Sequence, residues 1–168
     1  MTEFFNCTLG MRQGCMLSPL LFVLYIGEIV DMLQNAGCTG IYIDELAPNI
    51  MILLFADDIA LLNDTVGRLR EMIKVLESYT DKWGMKLNLN KSKIMVFRRG
   101  GKTKLDEKFF FNGNQIEIVS EYKYLGIIFT PKLKWKKTTK TLAQQATKAM
   151  ALLNIADRKC DGLPYKVA

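Results

Sequence analysis

Met51-Ile52-Leu53-Leu54-Phe55-Ala56-Asp57-Asp58-Ile59-Ala60-Leu61-Leu62-Asn63 sets two apolar runs on either side of a pair of adjacent carboxylates. Each flank has the length and bulk of a buried β-strand, and Ala56-Asp57-Asp58 is small and polar enough to turn the chain between them. The pattern predicts a hairpin with both aspartates at its tip. Consecutive side chains of a straight strand point to opposite faces, so only a turn brings the two carboxylates into one neighbourhood. Held that close, they repel by on the order of 2–4 kcal/mol at a surface-like dielectric, a conflict that a divalent cation removes. Turns also favour aspartate for its local hydrogen bonding alone. The apolar flanks weigh against that simpler account, because an exposed turn seldom needs buried walls.

Around this centre the chain has 168 residues, about one domain and enough to bury a real core. With 49% hydrophobic and 24% charged residues it belongs with globular rather than disordered chains. A net charge of +6 points to an anionic partner, nucleic acid before a membrane surface. Histidine is absent, and Cys7, Cys15, Cys38 and Cys160 show no Cys-x-x-Cys spacing. Both facts argue against a structural zinc site, a catalytic triad and a histidine general base. Scattered cysteines without a visible signal peptide make an intracellular, reducing compartment the expectation, with nucleus and cytoplasm not distinguished. The longest apolar run, Leu20 to Ile26, is too short to span a bilayer, so no membrane partner is expected.

Upstream, Thr2 to Thr8 reads as a strand, and Leu9-Gly10-Met11-Arg12-Gln13-Gly14 as a loop whose glycines let backbone approach a ligand. Ser18 as N-cap and Pro19 in the first turn open a helix that is apolar nearly all round, hence largely buried, and that Gly37 ends. Its N-terminus beside Arg12-Gln13-Gly14 suits a phosphate or nucleotide. Ile41-Tyr42-Ile43 is a short strand candidate and Pro48-Asn49 a turn. After the aspartate hairpin, Asp64 is a plausible N-cap for a helix with Val66, Leu69, Ile73, Leu76, Thr80 and Trp83 on one face, closed by Gly84. Lys86 to Phe97 reads as two strand-like pieces around a polar turn containing Lys91. Arg98 to Lys104 is a basic loop with no assigned role. Phe109–Phe111 and Ile116–Val119 flank Asn112-Gly113-Asn114, a strong hairpin signal, and Tyr122 to Phe129 reads as a third strand. Past Pro131, Lys132, Lys134, Lys136, Lys137 and Lys140 precede a helix with Leu142, Ala146, Ala149, Leu152 and Leu153; the lysines suit a solubilising face or a phosphate backbone.

Taken together, four of these stretches resemble the reverse transcriptases, particularly those of non-LTR retrotransposons, from the N-terminus to about Phe129. Gly10 to Phe22 is similar to the loop and helix that cradle the incoming nucleotide and template, which the resemblance assigns to Arg12, Gln13, Gly14, Ser18 and Pro19 together with Phe55 and Ala56. Phe55-Ala56-Asp57-Asp58 resembles the metal-binding aspartate pair. Gly84 to Lys93 resembles the turn whose lysine, here Lys91, protonates the departing pyrophosphate. Tyr122-Lys123-Tyr124-Leu125-Gly126 resembles the primer-grip hairpin. The resemblance implies an α+β fold: the C-terminal part of a polymerase palm, an antiparallel sheet with packed helices, over residues 1–130, and an incomplete basic helical thumb over 131–168.

It also implies the chemistry. The expected function is RNA-directed DNA polymerisation through two Mg²⁺ ions, with Asp57, Asp58 and Lys91 catalytic, Asp57 and Asp58 as metal ligands, and an RNA template, a DNA primer and deoxynucleoside triphosphates as partners. The family has one more essential aspartate on a strand ahead of the glutamine-glycine loop, and here Glu3 is the sole carboxylate before Arg12. The expectation is therefore a domain whose activity resides in a longer protein. The alternative is a non-catalytic, nucleic-acid-binding remnant, and a third idea is a dimer in which the partner contributes the missing aspartate. An unpaired sheet edge would favour self-association.

Overall fold

The apolar spacing of residues 66–83 produces the helix around which the first part of the chain packs. In the computed structural model, which describes residues 16–45, 49–98 and 107–159 with side chains through 156, the fold is α+β. The elements are α1 (Ser18–Asn35), β1 (Ile52–Phe55), β2 (Asp58–Leu61), α2 (Val66–Trp83), β3 (Lys93–Ile94), β4 (Phe109–Phe111), β5 (Asn114–Ile118), β6 (Tyr122–Tyr124), β7 (Ile127–Phe129) and α3 (Lys136–Lys159). The strand expected over Thr2 to Thr8, the loop from Leu9 to Gly14, Pro48 and the basic loop beyond Arg98 lie outside the described residues. The chain divides into two units, 1–88 with 106–115 and 89–105 with 116–168.

In the first unit, α2 buries Met72, Ile73, Leu76, Tyr79 and Thr80. They meet Ile26, Ile29 and Leu33 of α1 and the alternate side chains Phe109 and Phe111 of β4, whose Phe110 faces out as a strand's period of two requires. Tyr79 is fully buried, and its hydroxyl donates to the Tyr25 carbonyl at 2.9 Å. Burial pushes that phenol up to about 12, with Tyr25 and Glu28 adding to the shift. The Tyr25 ring meets Trp83 edge-on at 4.7 Å while its hydroxyl donates to the Trp83 carbonyl. Arg70 reaches from α2 over the Phe109 ring and donates to the Lys108 carbonyl. Beyond β4, Asn112 and Gly113 both have positive φ, 45° and 75°, the pair a tight hairpin turn needs.

Helix ends follow local chemistry. Gly37 takes φ 69°, and the Gly37 and Cys38 amides donate back to the Gln34 and Leu33 carbonyls, closing α1. Gly84 closes α2 the same way with φ 62°. The cap of α2 is Thr65, one residue later than expected, because its hydroxyl rather than the Asp64 carboxylate accepts from Arg68 N–H. Leu17, not Ser18, is the N-cap of α1; Ser18 is already helical, and Pro19 sits in the first turn where its missing N–H costs nothing.

The expectation that α1 is largely buried is wrong for its first half. Leu20, Leu21, Val23 and Leu24 are 58–68% exposed, since α2 covers only the stripe from Ile26 to Leu33. The expected strand Ile41–Ile43 reduces to one bridge, Ile41 to Ile50. Around the lysine turn, only Lys93–Ile94 is a strand, and Leu87 and Leu89 are not.

In the second unit, β3 runs parallel to β5, with Lys93 opposite Glu117 and bonded to its carboxylate at 2.7 Å. The single strand expected over Tyr122 to Phe129 is instead the hairpin β6–β7, broken by Leu125 and Gly126 at φ 47° and 84°. The apolar run hides this turn from a strand reading, whereas the family resemblance anticipated it. Helix α3 packs on β7 through Trp135, whose ring meets Phe129 at 5.7 Å, and through buried Thr138. Thr138 Oγ1 accepts from Ile128 N–H and donates to Ile128 C=O, on the edge of β7 that has no strand neighbour among the described residues. No helix among the described residues is long and apolar enough to cross a membrane.

These contacts locate the stability of the first unit in α1, α2 and β4. Met72→Ala is expected to cost about 2–5 kcal/mol in urea unfolding, and Leu24→Ala less than about 0.5 kcal/mol. Equal losses would show that the first half of α1 is part of the core.

Candidate active site

The β1/β2 ladder pairs Ile52 with Leu61, Leu53 with Ala60, Leu54 with Ile59 and Phe55 with Asp58. Two residues, Ala56 and Asp57, therefore make the whole turn. Asp58 belongs to the strand, so the three-residue turn of the sequence reading shortens by one. Ala56 takes φ 50°, a left-handed conformation that costs a non-glycine residue about 1–2 kcal/mol. Asp57 at the turn and Asp58 at the start of β2 are neighbours and exposed, and their carboxylates have no salt-bridge or hydrogen-bond partner among the described residues.

The strands carrying them are not the buried walls expected. Leu53, Leu54 and Phe55 are 36–60% exposed, because β1 and β2 form a two-stranded ribbon and only Met51 at its base is buried. Two carboxylates binding through one oxygen each supply two of the six oxygens that octahedral Mg²⁺ takes. Among the described residues no group of three or more His, Cys, Asp or Glu could hold a metal. The chemistry of the pair fits Mg²⁺, which keeps several waters and takes one or two carboxylates, but the pair alone does not enclose it.

Arg12, Gln13 and Gly14 lie outside the described residues, so the nucleotide loop is represented by Ser18 and Pro19 in the first turn of α1 and by Phe55 and Ala56 at the hairpin tip. The second unit joins two other motifs. Lys91 is exposed in a turn, and its carbonyl accepts from the Tyr122 hydroxyl at 2.8 Å, tying the lysine turn to β6. Lys123 and Leu125 are exposed, Tyr122 and Tyr124 half-buried, and Gly126 completes the turn. Beyond it, Thr130, Pro131, Lys132, Lys134, Lys136, Lys137 and Lys140 line an open groove of about 540 Å³. Lys137 pairs with Glu121 at 2.7 Å, which holds the start of α3 against the strand segment. Neither Thr138 nor Glu121 was singled out from sequence. A hydroxyl that completes a strand edge from a helix, and a carboxylate sixteen residues from its lysine, carry no local signature.

The family model for reverse transcriptase (RNA-dependent DNA polymerase) matches residues 1–129. The chain belongs to this family. Its relatives place it with the enzymes of non-LTR retrotransposons. It is 32% identical over 126 residues to the Retrovirus-related Pol polyprotein from type-1 retrotransposable element R2 of Popillia japonica, covering 71% of this chain and 17% of that protein. It is 27% identical over 139 residues to the RNA-directed DNA polymerase from mobile element jockey of Drosophila funebris, covering 76% of this chain and 14% of that one. The jockey polymerase of Drosophila melanogaster is 26% identical over 166 residues, or 94% of this chain and 17% of its own length. This reverse transcriptase chain thus spans only about one sixth of the relatives it matches. No solved structure matches it.

The strain at the tip is testable by itself. Ala56→Gly is expected to stabilise the hairpin by up to about 1 kcal/mol, since glycine adopts positive φ without penalty. Slower amide exchange across Ile52 to Leu61 would show it, and faster exchange would contradict the left-handed turn.

Proposed function

We propose that this chain supplies the C-terminal part of the palm, residues 1–130, and the first thumb helix, within 131–168, of an RNA-directed DNA polymerase. The observation that carries the reading is the two-residue turn of β1/β2, which puts Asp57 in the turn and Asp58 next to it at the start of β2, both exposed and without a side-chain partner among the described residues, in a member of the reverse transcriptase family. These two carboxylates would hold Mg²⁺. Bound there, Mg²⁺ neutralises phosphate charge and acidifies the attacking hydroxyl. Lys91 supplies a proton to the departing pyrophosphate, its turn steadied by the Tyr122 bond. Arg12, Gln13, Gly14, Ser18, Pro19, Phe55 and Ala56 receive the nucleoside triphosphate and RNA template, and Tyr122 to Gly126 the DNA primer. A third carboxylate is not among these 168 residues in the family's position, so the chain by itself does not polymerise.

The lysine groove favours a second reading, a remnant that binds nucleic acid without extending it. Lys132, Lys134, Lys136 and Lys140 give a run of cations suited to a phosphate backbone. The exposed Leu53, Leu54 and Phe55 also suit association with a second copy through the hairpin.

One set of assays separates the readings. The chain alone is expected to bind an RNA–DNA hybrid, weakening on the order of 100-fold between 50 and 200 mM salt for about four phosphate contacts, with no primer extension in Mg²⁺. Joined to a palm strand that carries a third carboxylate, it is expected to incorporate nucleotides under template direction. Asp57→Ala then lowers the rate about 1,000-fold or more, and Lys91→Ala about 100-fold. Extension by the chain alone, abolished by Asp57→Ala, would show that no third carboxylate from elsewhere is needed. A joined protein that binds hybrid and stays inactive would favour the remnant.

A further inference from the structure

Three backbone segments meet at the base of the aspartate hairpin. Ile41 and Ile50 exchange both backbone bonds, at 2.9 and 3.0 Å, and Leu62 N–H donates to the Met51 carbonyl at 2.8 Å. The chain entering β1 therefore has the segment after α1 on one edge and the end of β2 on the other. Gly40 N–H donates to the Asn49 side-chain oxygen. A Cβ on Gly40 would lie 2.1 Å from Ile50 O, 2.2 Å from Ile50 C and 2.3 Å from Met51 N, all backbone atoms, so no side chain could rotate out of the way. Space, not a positive φ, demands glycine here.

Asn63 closes the other side. Its Nδ2 donates to the Thr39 carbonyl and lies 3.6 Å from Met72 Sδ, while its Oδ1 accepts from Thr65 N–H at 3.0 Å. One side chain thus ties the end of β2 to the segment after α1 and to the cap of α2.

We infer that Gly40 and Asn63 are positioning residues, a clamp at the hairpin's base that fixes where Asp57 and Asp58 stand. Among the described residues the outer part of the ribbon, Leu53 to Asp58, is exposed, so its direction depends on this base. At about 3.4 Å per residue the tip lies about 14 Å from Met51, and a tilt of about 10° there moves the carboxylates by about 2 Å. Displacements of about 1 Å are enough to cost a reacting geometry its rate. The functional meaning of the clamp rests on the reading of the pair as a cation holder. The placement of the hairpin does not.

Asn63→Asp separates the two bonds of the side chain, because a carboxylate still accepts from Thr65 N–H but cannot donate to Thr39. In nitrogen-labelled full chain, Gly40→Ala and Asn63→Asp are expected to shift the amide resonances of Phe55 to Ile59 while those of the core residues Tyr79 and Ile29 stay in place. Broadening of the tip amides by Mn²⁺ should then need threefold or more higher metal concentration. A tip spectrum unchanged in Asn63→Asp would overturn the proposal, as would an unchanged tip in Gly40→Ala. If Gly40→Ala fails to fold, Asn63→Asp decides. If Mn²⁺ leaves the unaltered tip unbroadened, the cation reading falls, and the amide shifts still decide the clamp.

Discussion

Closing the β1/β2 ladder at Phe55 and Asp58 is the constraint on which the candidate site depends. It leaves two residues for the turn, and a turn that short needs a positive φ at its first position. Ala56 occupies that position against its preference, and Asp57 and Asp58 follow it, one in the turn and one opening β2. A one-residue slip of register would send Asp58 to the opposite face of the ribbon. The strained alanine is one of the local costs that concentrate where a site needs its groups held in place.

Those costs are carried by packing elsewhere. The core of the first unit lies between α1, α2 and β4, where Tyr79, Phe109, Ile29, Leu33 and Met72 are fully buried, and the hairpin contributes only Met51 to it. The ribbon is thus a projection whose apolar strands remain open, anchored at Gly40, Ile50 and Asn63. In the second unit the same economy of contact holds: Tyr122 steadies the Lys91 turn, Thr138 completes an edge of β7, and Lys137 and Glu121 tie α3 to the strand segment.

What could be read from the chain beforehand was whatever rests on local chemistry. Gly37 and Gly84 end their helices because both take positive φ, Asn112-Gly113 turns for the same reason, and the α2 stripe through Ile73, Leu76 and Thr80 is buried. Met72 and Tyr79 were missed on that helix, since the buried face is wider than a single row of i, i+3, i+4 positions. Tertiary context was not legible. Nothing in Leu20 to Leu24 announces that α2 covers only the later turns of α1, and the apolar Ile52 to Leu61 reads as buried strands whether or not another layer packs on them. Leu125 conceals a turn because leucine seldom takes positive φ. The hinge itself was legible, because small polar residues between two apolar runs turn the chain, whereas Gly40 looks like any loop glycine until the backbone of Ile50 is placed beside it.

The proposed reading turns on one point, whether Asp57 and Asp58 hold a divalent cation. Crystals of the chain soaked in Mn²⁺ and measured at the manganese absorption edge test that point directly. The account predicts an anomalous peak bound by both carboxylates at about 2.1–2.2 Å and lost in Asp57→Asn. Manganese bound elsewhere, with the hairpin tip bare, would contradict it.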